Sequence, residues 1–163
     1  MQQLLHELSA TFQGDKAGVC LADYPAGLSQ PKLTRRALLV PAPGDQHTFG
    51  LFMVSEFFRR ADWDVWGELP TTTEQLISTV REERFDMVGF SVGSELKLEE
   101  LKFAIKAVRL ESRNKNIAVM VGGPVFVANP EYIHLVGADM TAADGREAVM
   151  FAENLVTQFE VSG

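Results

Sequence analysis

The 163-residue chain is 46% hydrophobic, enough for one domain, and its 15 basic against 22 acidic side chains give a formal charge of -7. That average field repels a phosphate backbone, and the densest basic run, Lys32-Leu33-Thr34-Arg35-Arg36, is short, so direct nucleic-acid binding is not expected. The single cysteine, Cys20, excludes an internal disulfide and a Cys-rich zinc site and fits a reducing cytoplasm; no stretch approaches the roughly 18 unbroken apolar residues of a spanning helix, and MQQLLHELSATFQG lacks the basic start and long apolar stretch of a secretory signal.

Leu4, Leu5, Leu8 and Phe12 recur at helical spacing and predict a short amphipathic helix over 2–13, stopped by Gly14. Residues 14–36 hold Gly14, Gly18, Pro25, Gly27 and Pro31 and read as a linker or strap, which leaves 37–163 as the domain proper. Ala37–Val40 is a continuous apolar run, the pattern of a strand covered on both faces. A helix follows over Phe49–Ala61, ending in Arg59-Arg60 as the dipole favours, with Phe52, Phe57 and Phe58 assigned to its packing. Trp63–Trp66 is the second strand, with both tryptophans expected on one face. Thr71-x-x-Glu74 forms a capping box for a helix reaching about Glu83. Phe85–Phe90 is the third strand and Leu96–Ser112 a long helix with Leu98, Leu101, Ile105 and Val108 on one face. Ile117–Val121 is the fourth strand, halted by Gly122-Gly123-Pro124. A short helix around Pro130–Val136, a weak fifth strand over Ala138–Ala142 and a helix over Arg146–Phe159 close the chain. His6 and His134 fall on predicted helices as ordinary surface or half-buried residues, and Cys20 reads as a small buried hydrophobe.

Strands alternating with helices imply right-handed crossovers and a parallel sheet. The expected fold class is α/β: a flavodoxin-like, Rossmann-like doubly wound domain of five strands in the order 2-1-3-4-5. Ligands of such sheets bind outside the carboxyl ends of the strands, where the strand order reverses. Four segments meet there: the loop from Gly44 to Gly50, Ser91-Val92-Gly93, Gly122-Gly123 and Asp144-Gly145. Each offers small or polar residues where a packed core would want bulk. Within PAPGDQHTFG, Asp45 lies two residues from His47, so its carboxylate can accept a hydrogen bond from one ring nitrogen while the other points outward. Zinc wants about four protein ligands, and no other histidine or cysteine lies near. One imidazole suffices only where a macrocycle supplies the equatorial ligands, which favours haem or a corrinoid over a bare ion and makes His47 the candidate metal ligand. Other classes fail on single residues: Ser91 stands where a receiver domain needs its aspartate, Pro43-Gly44-Asp45-Gln46 is acidic and unsuited to a flavin phosphate, and GxGxxG is absent.

Asp45-x-His47-x-x-Gly50, then after forty residues Ser91-Val92-Gly93, then after a further twenty-eight Gly122-Gly123, resembles the cobalamin-binding domains of methionine synthase, corrinoid methyl carriers and cobalamin photoreceptors. Their pattern is DxHxxG, SxL and GG, and the match covers roughly residues 37–160. The resemblance implies that His47 replaces dimethylbenzimidazole as the lower cobalt ligand, with Asp45 bonded to its far nitrogen. Ser91 would hydrogen-bond the displaced base, and Gly50, Gly122 and Gly123 would leave room for the nucleotide tail. Gln46, Thr48, Phe49, Val92, Gly93, Asp144 and Gly145 complete the candidate binding set. Gly93 stands where the family usually has leucine. That variation and the wording of PAPGDQHTFG and GFSVGSEL resemble a regulatory branch of phototrophic bacteria, the cobalamin-dependent antirepressors of photosynthesis genes and the SCHIC domains, described as sensors containing haem instead of cobalamin.

What the resemblance implies, together with the acidic charge, is a tetrapyrrole-binding regulatory module rather than an enzyme, with no catalytic residues assigned. It would take up adenosyl- or hydroxocobalamin and signal light, redox or cofactor state to a DNA-binding transcription repressor by protein contact. Two alternatives stand beside it: a haem-binding redox or gas sensor through the same site, and a corrinoid methyl carrier serving a methyltransferase. Corrinoid enzymes sandwich the upper face of the cofactor against a barrel or helical bundle, and only 36 residues precede the first strand.

Overall fold

The computed structural model describes residues 33–45 and 48–163. The predicted helix over 2–13, the strap up to residue 32, and Gln46 and His47 lie outside the described residues. Five strands form one parallel sheet: β1 (Arg36–Pro41), β2 (Asp64–Val65), β3 (Met87–Ser91), β4 (Ala118–Gly122) and β5 (Met140–Thr141). Their order is β2-β1-β3-β4-β5, as the alternation of elements predicts. The helices are α1 (Phe49–Arg60), α2 (Thr73–Glu82), α3 (Leu98–Glu111), α4 (Pro124–Ala128), α5 (Tyr132–Val136) and α6 (Gly145–Ser162), and none is long and apolar enough to cross a membrane.

The central strands are near-continuous apolar runs because helices cover both sheet faces. Alternation along each strand sorts their side chains into two layers. Leu38, Val40, Val88, Phe90, Val119 and Val121 meet Leu76 and Val80 of α2 and Leu101, Ile105 and Val108 of α3. Ala37, Leu39, Met87, Ala118 and Met120 meet Leu51 and Phe58 of α1 and Ala148, Ala152 and Val156 of α6. At the amino end of the sheet, Arg36 pairs with Glu83 at 2.8 Å and Asp64 at 3.0 Å and lies over the rings of Trp66 and Phe85. Burial works to lower its pKa, but the two carboxylates outweigh that and hold it above the usual arginine value.

Several expectations shift by a residue or a face. The α2 cap is Thr72, whose hydroxyl accepts from Gln75 N at 3.2 Å, while Gln75 Oε1 accepts from the Thr71 amide and hydroxyl at 2.9 Å each. Glutamine at the third helical position thus does the work expected of Glu74, one residue along. The edge strands β2 and β5 are two residues each, shorter than expected, and β1 begins at Arg36, inside the predicted strap. Trp63 and Trp66 do not share a face, because three residues along an extended chain is an odd step. Trp63 stacks edge-on with Phe58 in the α1 layer and Trp66 edge-on with Phe85 in the opposite one. Phe58 is fully buried, but Phe52 points outward at 61% exposure and takes no part in packing. α4 was not expected from periodicity: five residues are too few to show it, and Pro124 at its first position supplies the preset φ that starts it.

Candidate ligand-binding site

The carboxyl ends of β1, β3 and β4 are laced together by backbone. Ala42 N donates to Ser91 O at 2.8 Å, Val92 N to Gly122 O at 2.9 Å, and Asp45 N turns back to Ala42 O at 2.8 Å. Gly44, at φ +78, permits that reversal. A side-chain link completes the rim: the Gly93 amide donates to Asp45 Oδ2 at 2.8 Å. Gly123 sits at φ +123 against the Val92 carbonyl oxygen, into which any Cβ would collide, so the chain can leave β4 for α4 only through glycine.

Beneath the rim, on the sheet face that α1 and α6 cover, lies a cavity of about 420 Å³. Leu39, Gly89 and Met120 form its base, and Gly50 and Val54 of α1 one wall. Ala142, Ala143, Asp144 and Ala148 form the other. Ser91 and Gly122 are register partners, and alternation sets both on the face of Gly89 and Met120, at the cavity mouth. A Cβ on Gly50 or Gly122 would meet no heavy atom of the described residues within 4 Å, so among these residues the two glycines leave space unfilled. The Ser91 hydroxyl, half-buried, has no hydrogen-bond partner among the described residues. The cavity is mostly apolar with a few polar groups at its mouth, the usual character of a small-molecule site. Among the described residues, no three histidine, cysteine or acidic side chains gather as a metal-binding set.

Of the residues expected to bind a ligand, Gly50, Ser91, Val92, Gly93, Gly122, Gly123 and Asp144 are brought together around this cavity. Val92 contributes backbone, its side chain being 1% exposed in the opposite layer. Asp45 and Thr48 line a second cavity of about 340 Å³ across the β1 loop. Phe49 is 80% exposed. The Asp144 carboxylate caps α6 by accepting from Glu147 N at 2.9 Å, while the Glu147 carboxylate accepts in turn from Ala143 N at 2.8 Å. Gly145 is buried under the Phe57 ring, where a side chain could not fit. Sequence reasoning missed Leu39, Gly89, Val54, Met120 and Ala148; the available signal was a glycine inside an otherwise bulky strand, MVGFS, which marks a close approach.

A doubly wound parallel sheet whose strands end in small residues around a glycine-lined crevice defines a ligand-binding α/β domain. The chain belongs to the B12-binding domain family, which matches residues 35–151. It is 25% identical over 144 residues to an uncharacterized 20.5 kDa protein in the bchF-crtJ intergenic region of Rhodobacter capsulatus, covering 88% of this chain and 68% of that one. It is 29% identical over 116 residues to the dimethylamine corrinoid protein of Methanosarcina barkeri, covering 69% of this chain and 53% of the relative, about half of its length. A cobalamin-binding protein from Desulfitobacterium hafniense shares the fold at a TM-score of 0.67 and 20% identity, over 76% of this chain and 60% of that one.

Proposed function

We propose that the domain binds cobalamin with its nucleotide base displaced and His47 as the lower axial ligand, and that it works as a sensory and regulatory module rather than as an enzyme. The observation that carries this reading is the cavity beside Ser91, whose walls at Gly50 and Gly122 are left unfilled. A pendant nucleotide needs such a slot, and the Ser91 hydroxyl is available to hydrogen-bond its base. Asp45, oriented by the Gly93 amide, would accept a hydrogen bond from the His47 ring and fix its tautomer. The cofactor would supply a cobalt centre responsive to light or redox state. The domain's own part is to hold the tail, orient the imidazole and present the result to a protein partner. A DNA-binding transcription repressor fits that role: the acidic charge suits a basic effector, and the loop wording resembles the antirepressor branch. The likeness to the bchF-crtJ intergenic-region protein supports the same direction.

The likeness to a dimethylamine corrinoid protein favours a second reading, a methyl carrier serving a methyltransferase. Absorption titration with hydroxocobalamin, adenosylcobalamin and haemin, repeated with His47→Ala, separates the cases. Tight corrinoid uptake that weakens in the variant is expected. An unchanged axial-ligand spectrum in the variant would remove His47 from the site, and preferential uptake of haemin would replace cobalamin with haem. Methyl transfer to and from the bound cobalt by a methyltransferase would favour the carrier reading over the sensor.

A further inference from the structure

Helix α3 is apolar on two opposite sides. One side, with Leu101, Ala104, Ile105 and Val108, packs on the sheet. On the other, Leu96, Phe103 and Leu110 are 89%, 66% and 65% exposed. Leu96 stands in the short 3-10 turn Glu95–Lys97 that leads into the helix. The three residues are spaced by seven, and a helix drifts only about 20° over seven residues, so they form one stripe facing directly away from the core. Single exposed hydrophobes are ordinary on a protein surface, whereas three large ones in line along a helix, with charges between them, suit a contact surface.

The charges beside the stripe say what covers it. Lys97 pairs with Glu100, Arg81 with Glu111 and Arg109 with Asp139, but Glu99 and Lys106, like Lys102 farther round the helix, make no ion pair among the described residues. Both lie on the same flank of the stripe, Glu99 four residues before Phe103 and Lys106 three after it. If two α3 helices run antiparallel about a two-fold axis beside Phe103, Leu96 of each meets Leu110 of the other. Phe103 then packs on its own copy, and Glu99 stands within one residue of level with Lys106 of the other chain, on the same side of the seam, twice per pair. With the helices running in the same direction the flanks would cross over, and Glu99 would instead stand beside Glu100 of the other chain and Lys106 beside its Ala107. Glu99 and Lys106 therefore favour the antiparallel orientation, in which each is complementary to the other across the seam.

We propose that the occupant of this stripe is a second copy of the chain, giving an isologous dimer with antiparallel α3 helices. α3 covers the sheet face opposite the cavity, so both crevices stay open in the dimer. This inference stands independently of which cofactor the crevice takes.

Sedimentation equilibrium of the full chain tests it. The wild type is expected to dimerise at micromolar concentration. Phe103→Glu, at an exposed position, keeps its circular dichroism and raises the dimer dissociation constant by about thirtyfold or more, as loss of a central interface residue does. Glu99→Lys and Lys106→Glu each weaken the dimer by about threefold, the scale of a rim ion pair, and the doubly exchanged chain recovers the wild-type constant. A wild type that stays monomeric would overturn the proposal and leave the stripe to residues 1–33 or to a different protein. A dimer insensitive to Phe103→Glu, or a double exchange without recovery, would equally overturn it.

Discussion

The backbone amide of Gly93 holds the carboxylate of Asp45 at 2.8 Å, joining the loop that begins the Asp-x-His sequence to the loop after β3. A Cβ at position 93 would lie 3.0 Å from that same carboxylate oxygen, so any side chain there obliges the carboxylate to give by a few tenths of an ångström. Leucine there, as in the family pattern, has to push the carboxylate aside. Gly93→Leu is expected to cost about 1 kcal/mol in denaturant unfolding, the net worth of one hydrogen bond to a half-buried group, and to weaken corrinoid uptake. In an Asp45→Ala background the same substitution should cost little, because the partner it displaces is already gone; additive losses would mean that the two residues act separately.

Adjacent glycines should answer differently to alanine. Gly123→Ala forces a methyl group into the Val92 carbonyl at positive φ and is expected to destabilise by about 3 kcal/mol or more, read from the unfolding midpoint. Gly122→Ala meets nothing within 4 Å among the described residues and should leave the stability of the ligand-free protein unchanged. Its methyl group projects into the cavity, so titration should show reduced corrinoid affinity. Equal stability losses in the two variants would contradict the geometry of the rim.

Ser91→Ala removes a hydroxyl that no described residue engages, so unfolding of the ligand-free protein should shift by less than about 0.5 kcal/mol. Corrinoid binding should weaken by about three- to tenfold, the net worth of one hydrogen bond to the ligand. Unaltered binding would place the base elsewhere.

At the start of α2, Thr72→Ala should cost about 1 kcal/mol by exposing the Gln75 amide. Glu74→Ala should cost less, since Glu74 serves only the dipole of the first turn. Thermal unfolding of both variants distinguishes this cap from one centred on Thr71.

Strand order and the four rim loops were legible because continuous apolar runs, glycine stops and crossover handedness leave few topologies for a chain of this length. The glycines of the cavity were legible by position but not by job. Gly122, Gly123 and Gly145 look alike in sequence, yet one faces open space, one clears a carbonyl and one lies beneath a phenylalanine ring. Only tertiary contacts separate such roles. The Gly93 amide bond to Asp45 was equally hidden, since backbone donors carry no sequence signature. A three-residue step along an extended chain reverses the face, so Trp63 and Trp66 part, and an apolar residue on an amphipathic helix is not bound to face inward, as Phe52 shows. The capping box slipped by one position because Thr71, Thr72 and Thr73 offer three equivalent hydroxyls, and only Gln75 decides among them.

The outermost strands, β2 and β5, pair over just two residues each. A long free margin would offer a template on which further chains could add, extending the sheet from molecule to molecule. Here each margin ends almost as soon as it begins, so the described residues offer little backbone with which a concentrated solution could seed fibres.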